Sequence, residues 1–224
     1  GFEALARWTS PTLGPVSPAQ FIPVAERAGI IGSLTRALLR KALAAAASWS
    51  PELRLSFNLS AYDLSSPEGV LAIVAMIESS RFNPRRIDLE ITETAFTHDF
   101  EQVEKSVEML RLLGCGISLD DFGTGYSSLS RLHALPLTKI KIDRSFVTDL
   151  HKNPASRKIV KSLLALSRDM DLDCVVEGVE TEAEMDALRA LGGKMVQGYY
   201  YSAPMAADQV LPFLGQSVLA ARRA

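Results

Sequence analysis

GISLDDFGTGYSSLSRLHALPLTKIKID, residues 116–143, contains two short β-rich runs with a longer crossover between them. The first run ends in Asp120 and Asp121, and the second ends in Asp143. Short strands that alternate with longer crossovers are typical of a parallel sheet, in which each crossover carries a helix. The glycines after Asp121 predict a flexible loop over 121–129. They do not form a dinucleotide-binding fingerprint, because the third glycine of that motif is absent.

The same alternation extends over the whole chain and predicts seven strands. Helix start signals lie between the strands at Ser17, Ser66, Asp99 and Thr181, and a further helix is predicted near 156–169. Seven such units predict one α/β domain, a (β/α) barrel that lacks one of the usual eight strands, with an open doubly wound sheet as the alternative. The predicted strands are Phe2–Trp8, Leu53–Asn58, Ile87–Ile91, Gly116–Asp120, Lys139–Asp143, Asp173–Glu177 and Lys194–Gln197.

Composition excludes several classes of protein. The 224 residues carry 24 basic and 26 acidic side chains, a balance that argues against a protein that coats duplex nucleic acid. No apolar run approaches the roughly 20 residues that span a bilayer, so no membrane contact is expected of this domain. Cys115 and Cys174 are interpreted as buried apolar residues, and a cytoplasmic location is expected. The three histidines show no paired-ligand spacing, which disfavours zinc.

Polar side chains stand at the ends of the predicted strands. Because the carboxyl ends of parallel strands meet at one face, these side chains are expected to converge on one site. Like charges held so close raise one another's pKa unless cations neutralise them. The set comprises Asn58, Glu90, Asp120 with Asp121, Lys141 with Asp143, Glu177 and Gln197, with Glu3 and Arg7 in the first run.

The chemistry of this set favours divalent metals. Carboxylate and amide oxygens without Cys or His are ligands for Mg²⁺, Mn²⁺ or Ca²⁺. Adjacent Asp120 and Asp121 are suited to serve two metals, as in many enzymes that cleave phosphoesters. Lys141 would add positive charge beside the attacking water, and Arg7 would hold a phosphate oxygen. The residues therefore predict metal-dependent phosphodiester hydrolysis. Solvated strand ends are the alternative, which suits Asp143 but not the whole set.

At these positions the sequence strongly resembles the EAL domain family, bacterial phosphodiesterases that act on cyclic di-GMP. The resemblance extends from Gly1 to about Leu214, with the motifs in the order of the family. The matching blocks are FEALARW (2–8), FIPVAE (21–26), NLS (58–60), LEITE (89–93), DDFGTGYSSL (120–129), KIDRSF (141–146), EGVE (177–180) and QGY (197–199).

The resemblance implies a modified TIM (β/α)8 barrel whose first strand runs antiparallel to the others. It implies hydrolysis of one phosphodiester bond of cyclic di-GMP to give linear pGpG, with two Mg²⁺ or Mn²⁺ ions per active site. A homodimer, coupled to metal binding through loop 121–129, and fused sensory or diguanylate cyclase-like domains are also implied. The resemblance implies as ligands of the first metal Glu3, Asn58, Glu90 and Asp120, and as ligands of the second Asp120, Asp121 and Glu177. It implies as catalytic residues Lys141, Glu177 and Asp121, and as substrate contacts Arg7, Gln197 and Asp121. It also implies that Glu93 anchors the loop and that Glu180 supports the site.

The sequence departs from the family pattern in three places. The family's first strand, with its Tyr-Gln-Pro motif, has no counterpart before Glu3, so residues 1–224 are expected to be one N-terminally truncated domain of a longer protein. Ala203 stands where a basic residue often follows the QGY block, and Val176 replaces a common Ala. None of these changes removes an implied metal ligand. An active phosphodiesterase is therefore favoured over the alternative, a catalytically weak cyclic di-GMP receptor.

Overall fold

The computed structural model describes residues 1–97, 99–124 and 129–221. Within these residues one sheet has seven strands, in the order β1-β4-β5-β6-β7-β8-β9, and every neighbouring pair is parallel. Strands β2 and β3 form a separate antiparallel hairpin. The strands are β1 (Phe2–Ala4), β2 (Trp8–Ser10), β3 (Gly14–Val16), β4 (Leu55–Asn58), β5 (Ile87–Thr92), β6 (Gly116–Phe122), β7 (Lys139–Ile142), β8 (Asp173–Val176) and β9 (Met195–Val196).

Helices connect the strands of the sheet. The predicted helix starts are confirmed, and at Ser66, Asp99 and Thr181 the capping side chain accepts a hydrogen bond from the third helical N–H. Such caps satisfy N–H groups that have no partner within the helix. The helices are α1 (Pro18–Arg27), α2 (Ile31–Ala46), α3 (Ala61–Leu64), α4 (Pro67–Ser80), α5 (Phe100–Leu113), α6 (Leu129–Ala134), α7 (Pro154–Asp169), α8 (Glu182–Leu191) and α9 (Val210–Ala221).

The sheet is curled, and its inner face is polar. Along β7, Ile140 and Ile142 join the hydrophobic clusters, whereas Lys139 and Lys141 pair with acidic residues across the strands. This alternation follows from the two-residue period of a strand. At the two edges, Gln197 beyond β9 donates a hydrogen bond to Glu3 of β1, with 2.7 Å between Nε2 and Oε2. The carboxyl ends of the first and last strands therefore meet.

The barrel-type α/β fold is confirmed, and the doubly wound alternative is wrong because the strands follow chain order around the sheet. The prediction of one strand over Phe2–Trp8 is also wrong. Strand β1 ends at Ala4, and Trp8 begins the hairpin that carries the chain away from the sheet. The antiparallel first strand has no counterpart among the described residues. No helix in the described ranges combines the length and apolar character needed to cross a bilayer.

Candidate active site

A buried lysine lies at the centre of the site. Lys141 is 2% exposed, and its Nζ lies 2.8 Å from Glu90 Oε2 and 2.7 Å from Glu177 Oε1. Nζ also lies 3.3 Å from Asp120 Oδ1 and 3.6 Å from Glu3 Oε2. One cation therefore faces four carboxylates from four different strands or strand ends. This excess of negative charge is what a divalent cation would neutralise.

A β-bulge explains how two successive aspartates serve the same site. In a regular strand Asp120 and Asp121 would point to opposite faces. The β6–β7 register instead shifts between Leu119 and Phe122, and Asp121 adopts a left-handed backbone conformation with φ +54°. A bulge re-aims side chains in this way. As a result three carboxylate oxygens lie within 4.8 Å of one another, one from each of Asp120, Asp121 and Glu177.

Two amides fix the orientation of Glu3. Asn58 Nδ2 donates to Glu3 Oε1 at 2.8 Å, and Gln197 Nε2 donates to Glu3 Oε2 at 2.7 Å. Both oxygens of this carboxylate therefore have a side-chain partner. The sequence prediction placed Gln197 against the substrate, and that contact stays a prediction; the bond to Glu3 is one that sequence spacing did not indicate.

Burial and neighbouring charges shift the pKa values of the ionisable groups in the site. Burial raises the pKa of Glu90 to about 8, with further upward pressure from Glu3, and burial raises the pKa of Glu177 to about 7. Burial also raises the pKa of Asp121, aided by Asp120. For Lys141, burial opposes the charged form, but the surrounding carboxylates outweigh it and hold the pKa above its ordinary value. Lys141 therefore stays protonated across the physiological range.

The donor set fits hard divalent metals. The clustered oxygens come from carboxylates, with the amide of Asn58 beside Glu3, and the described cluster contains no His or Cys. Oxygen-only donors of this kind are the ligands of Mg²⁺, Mn²⁺ and Ca²⁺. The residues that the sequence indicated as ligands are thus brought together by the fold.

The supporting residues lie around this centre. Glu93 Oε1 accepts a hydrogen bond from the Gly123 N–H at 3.1 Å, so Glu93 contacts the start of loop 121–129; residues 125–128 of that loop lie outside the described residues. Glu180 is exposed, and its N–H donates to Glu184. Arg7 is exposed between β1 and the hairpin, where its guanidinium donates to the carbonyl of Ala6.

Two further residues lie near the site, one whose role the sequence analysis allowed for and one that it missed. Asp143 caps the turn after β7 by accepting from the Ser145 N–H at 3.0 Å, which is the role that the alternative interpretation gave it. Glu184 is buried and binds backbone N–H groups from two different connections. Its place three residues after Thr181 indicated a capping box, and that signal gave no hint of the second connection.

The sequence was compared with models of known protein families. Residues 1–204 match the model of the EAL domain family. The chain belongs to the EAL domain family. This EAL domain is 42% identical over 208 residues to an uncharacterized signaling protein of Caulobacter vibrioides, with 93% of this chain and 26% of the relative covered. The chain thus spans about a quarter of the length of that relative.

Named relatives and solved structures agree with the family. The EAL domain is 36% identical over 217 residues to a cyclic di-GMP phosphodiesterase of Pseudomonas aeruginosa, with 96% of this chain and 37% of the relative covered. A solved structure of the MucR phosphodiesterase in complex with c-di-GMP matches with a TM-score of 0.86 and 36% identity, over 93% of this chain and 86% of that one. MucR of Pseudomonas aeruginosa bears the name bifunctional diguanylate cyclase/cyclic di-GMP phosphodiesterase.

Proposed function

We propose that this EAL domain is a metal-dependent phosphodiesterase that hydrolyses cyclic di-GMP to linear pGpG. The observation that carries the proposal is the position of Lys141 among four carboxylates, next to three carboxylate oxygens that lie within 4.8 Å of one another. The relatives named as cyclic di-GMP phosphodiesterases and the solved MucR complex support the choice of substrate.

The proposed metals are two Mg²⁺ or Mn²⁺ ions, and the oxygen-rich donor set supports this choice. Bound metals would supply Lewis acidity at the phosphate and lower the pKa of a coordinated water. The proposed first-metal ligands are Glu3, Asn58, Glu90 and Asp120, and the proposed second-metal ligands are Asp120, Asp121 and Glu177.

The chain's own residues have separate roles in the proposed reaction. Glu177 is proposed to lie beside the attacking water as a ligand of the second metal; the metals would lower the pKa of that water, and its proton would pass to solvent. Lys141 stays protonated, so it acts by its charge and its N–H donors rather than as a base. Attack at phosphorus breaks one P–O bond of the ring, and the leaving 3′ oxygen takes up a proton. Arg7 and Gln197, at the exposed rim, are the proposed contacts to the phosphate and the nucleotide.

Several wider features remain proposals. A homodimer that contacts loop 121–129 would act on the site through the hydrogen bond between Glu93 and Gly123. Fused regulatory domains are proposed because the relatives are much longer than this chain. A cytoplasmic location would give the domain access to a nucleotide second messenger.

The test is hydrolysis of cyclic di-GMP by this chain with Mg²⁺ or Mn²⁺ and then with excess EDTA, with the linear product resolved by chromatography. Metal-dependent pGpG would support the proposal. Binding of cyclic di-GMP by calorimetry without any product would refute the enzyme and indicate a receptor. The matched variant pair is Glu177→Gln, which should abolish turnover, and Glu182→Gln, an exposed residue outside the site that should not change it.

A further inference from the structure

Glu184 binds two separate connections of the barrel. Its Oε2 accepts from the N–H groups of Glu180 and Thr181, both at 3.0 Å, in the connection that follows β8. Its Oε1 accepts from the Asp149 N–H at 3.1 Å, in the connection that follows β7. Asp149 lies 35 positions before Glu184 in the chain. Glu184 is only 6% exposed, although its three N–H donors belong to residues at the surface.

The negative charge of Glu184 suits a side chain that accepts three backbone hydrogen bonds. Burial alone would favour the neutral acid, but the backbone donors of Glu180, Thr181 and Asp149 outweigh it and lower the pKa of the carboxyl. A carboxylate accepts at both oxygens, whereas a glutamine would present an NH₂ group to one of these N–H donors. A helix cap needs only the donors of its own helix start. The bond to Asp149 therefore exceeds what capping of α8 requires.

A second contact joins the same two connections closer to the metal site. Gly178 directly follows Glu177 and has φ +71°, and a Cβ placed on it would clash with Arg144 Cβ. The backbone after β8 thus lies directly against the turn Arg144–Phe146 after β7. Val147 and Leu150 from one connection and Val179 from the other are buried in one hydrophobic cluster.

These contacts surround the carboxylate that the reaction needs. Glu177 has one backbone bond to β7, from its N–H to the Ile142 carbonyl at 3.0 Å, and then the chain turns away at Gly178. Without a fixed turn, the Glu177 side chain would not keep its place near the carboxylates of the bulge. The Arg144 contact at Gly178 and the Glu184 bonds at 180–181 hold the turn on its far side.

We propose that Glu184 is a positioning residue for Glu177: its carboxylate ties the connection after β7 to the connection after β8 and holds Glu177 beside the Asp120–Asp121 pair. The inference rests on the proposed two-metal function. Glu184 contacts neither the metals nor the substrate in this role. It acts by fixing the backbone from which Glu177 projects.

The test compares Glu184→Gln with Glu182→Gln, an exposed acid in the first turn of the same helix. Calorimetric titration of the metal-free chain with Mn²⁺ alone should show one of two sites lost or weakened about tenfold in Glu184→Gln, as for other groups that orient metal ligands. The other site should keep its affinity. Glu182→Gln should match the unsubstituted chain at both sites.

Hydrogen exchange of the unsubstituted chain provides a second measurement that does not depend on a variant folding. Binding is reciprocal, so Mn²⁺ should slow exchange of amides in both 143–153 and 177–181. If Glu184→Gln binds Mn²⁺ with the same affinities as Glu182→Gln, the inference is overturned and Glu184 is only a helix cap. The inference is also overturned if Mn²⁺ does not change the amide exchange rates of residues 143–153. Mn²⁺ binding without hydrolysis would refute the proposed function alone, and the absence of a second Mn²⁺ site would refute both.

Discussion

Removal of the central lysine should destabilise the metal-free domain in a pH-dependent manner. Lys141→Met takes away the cation that lies within 3.6 Å of four carboxylates while keeping the size of the buried side chain. Breaking a buried ion pair by removal of one partner costs about 3–5 kcal/mol. We expect a loss of that size in the free energy of unfolding at pH 8.

The same substitution should matter less in acid. Burial already raises the pKa of Glu90 to about 8 and that of Glu177 to about 7 with the lysine present. Without Lys141 the folded protein takes up further protons, and each proton changes the loss by about 1.4 kcal/mol per pH unit. The loss in the free energy of unfolding should therefore be smaller at pH 6 than at pH 8.

Urea unfolding with EDTA measures these losses, and Lys139→Met is the matched control on the same strand. Lys139 pairs with Asp88 at 2.9 Å, but Asp88 also accepts from Arg54 Nε at 2.7 Å and keeps this partner. The pKa of Asp88 is lowered, because its bonds with Arg54 and Lys139 outweigh the effect of burial. The loss in the free energy of unfolding that Lys139→Met causes should therefore not depend on pH between 6 and 8. A Lys141→Met loss below about 1 kcal/mol at pH 8, or one that is equal at pH 6, would refute the reasoning.

Three further outcomes are expected. Gln197→Ala removes the amide that orients Glu3, so Mg²⁺ affinity by calorimetry should fall about tenfold; an unchanged affinity would restrict Gln197 to substrate contact. Glu93→Ala should speed amide exchange in the loop after β6 and weaken Mg²⁺ binding, and an unaltered Mg²⁺ dependence of hydrolysis would contradict that coupling. Because the pKa values of Glu90 and Glu177 are raised on folding, the folded state binds more protons than the unfolded state between about pH 5 and pH 8. Metal-free stability should therefore fall as pH rises through this range, and a rise in urea experiments would contradict it.

Much of the fold was predictable from local pattern. The short β-rich runs fixed the strands of the sheet to within about two residues, because β propensity and flanking start signals act locally. The run Phe2–Trp8 failed because two strands lie close together there, β1 ending at Ala4 and β2 beginning at Trp8, and local composition does not reveal where a chain leaves one sheet for another.

The membership of the site was predictable because parallel strands bring their carboxyl ends together. Local pattern did not reveal how the side chains of the site are oriented or which residues they bond. The partner of Gln197 lies 194 residues away, and the Asp149–Glu184 bond joins two connections that no motif relates. Hydrogen bonds across such distances depend on the closure of the sheet, which follows from the packing of all its strands.

The bulge in β6 couples the length of this strand to the charge of the site. Only Asp120 and Asp121 lie between Leu119 and Phe122, so deletion of one residue there would restore regular alternation and leave the site a single aspartate. The apolar side chains before the deletion would keep their places, and the fold would tolerate the change. Loss of one residue from this strand would therefore remove one of the two adjacent carboxylates of the proposed two-metal site while the sequence motifs on either side stay intact.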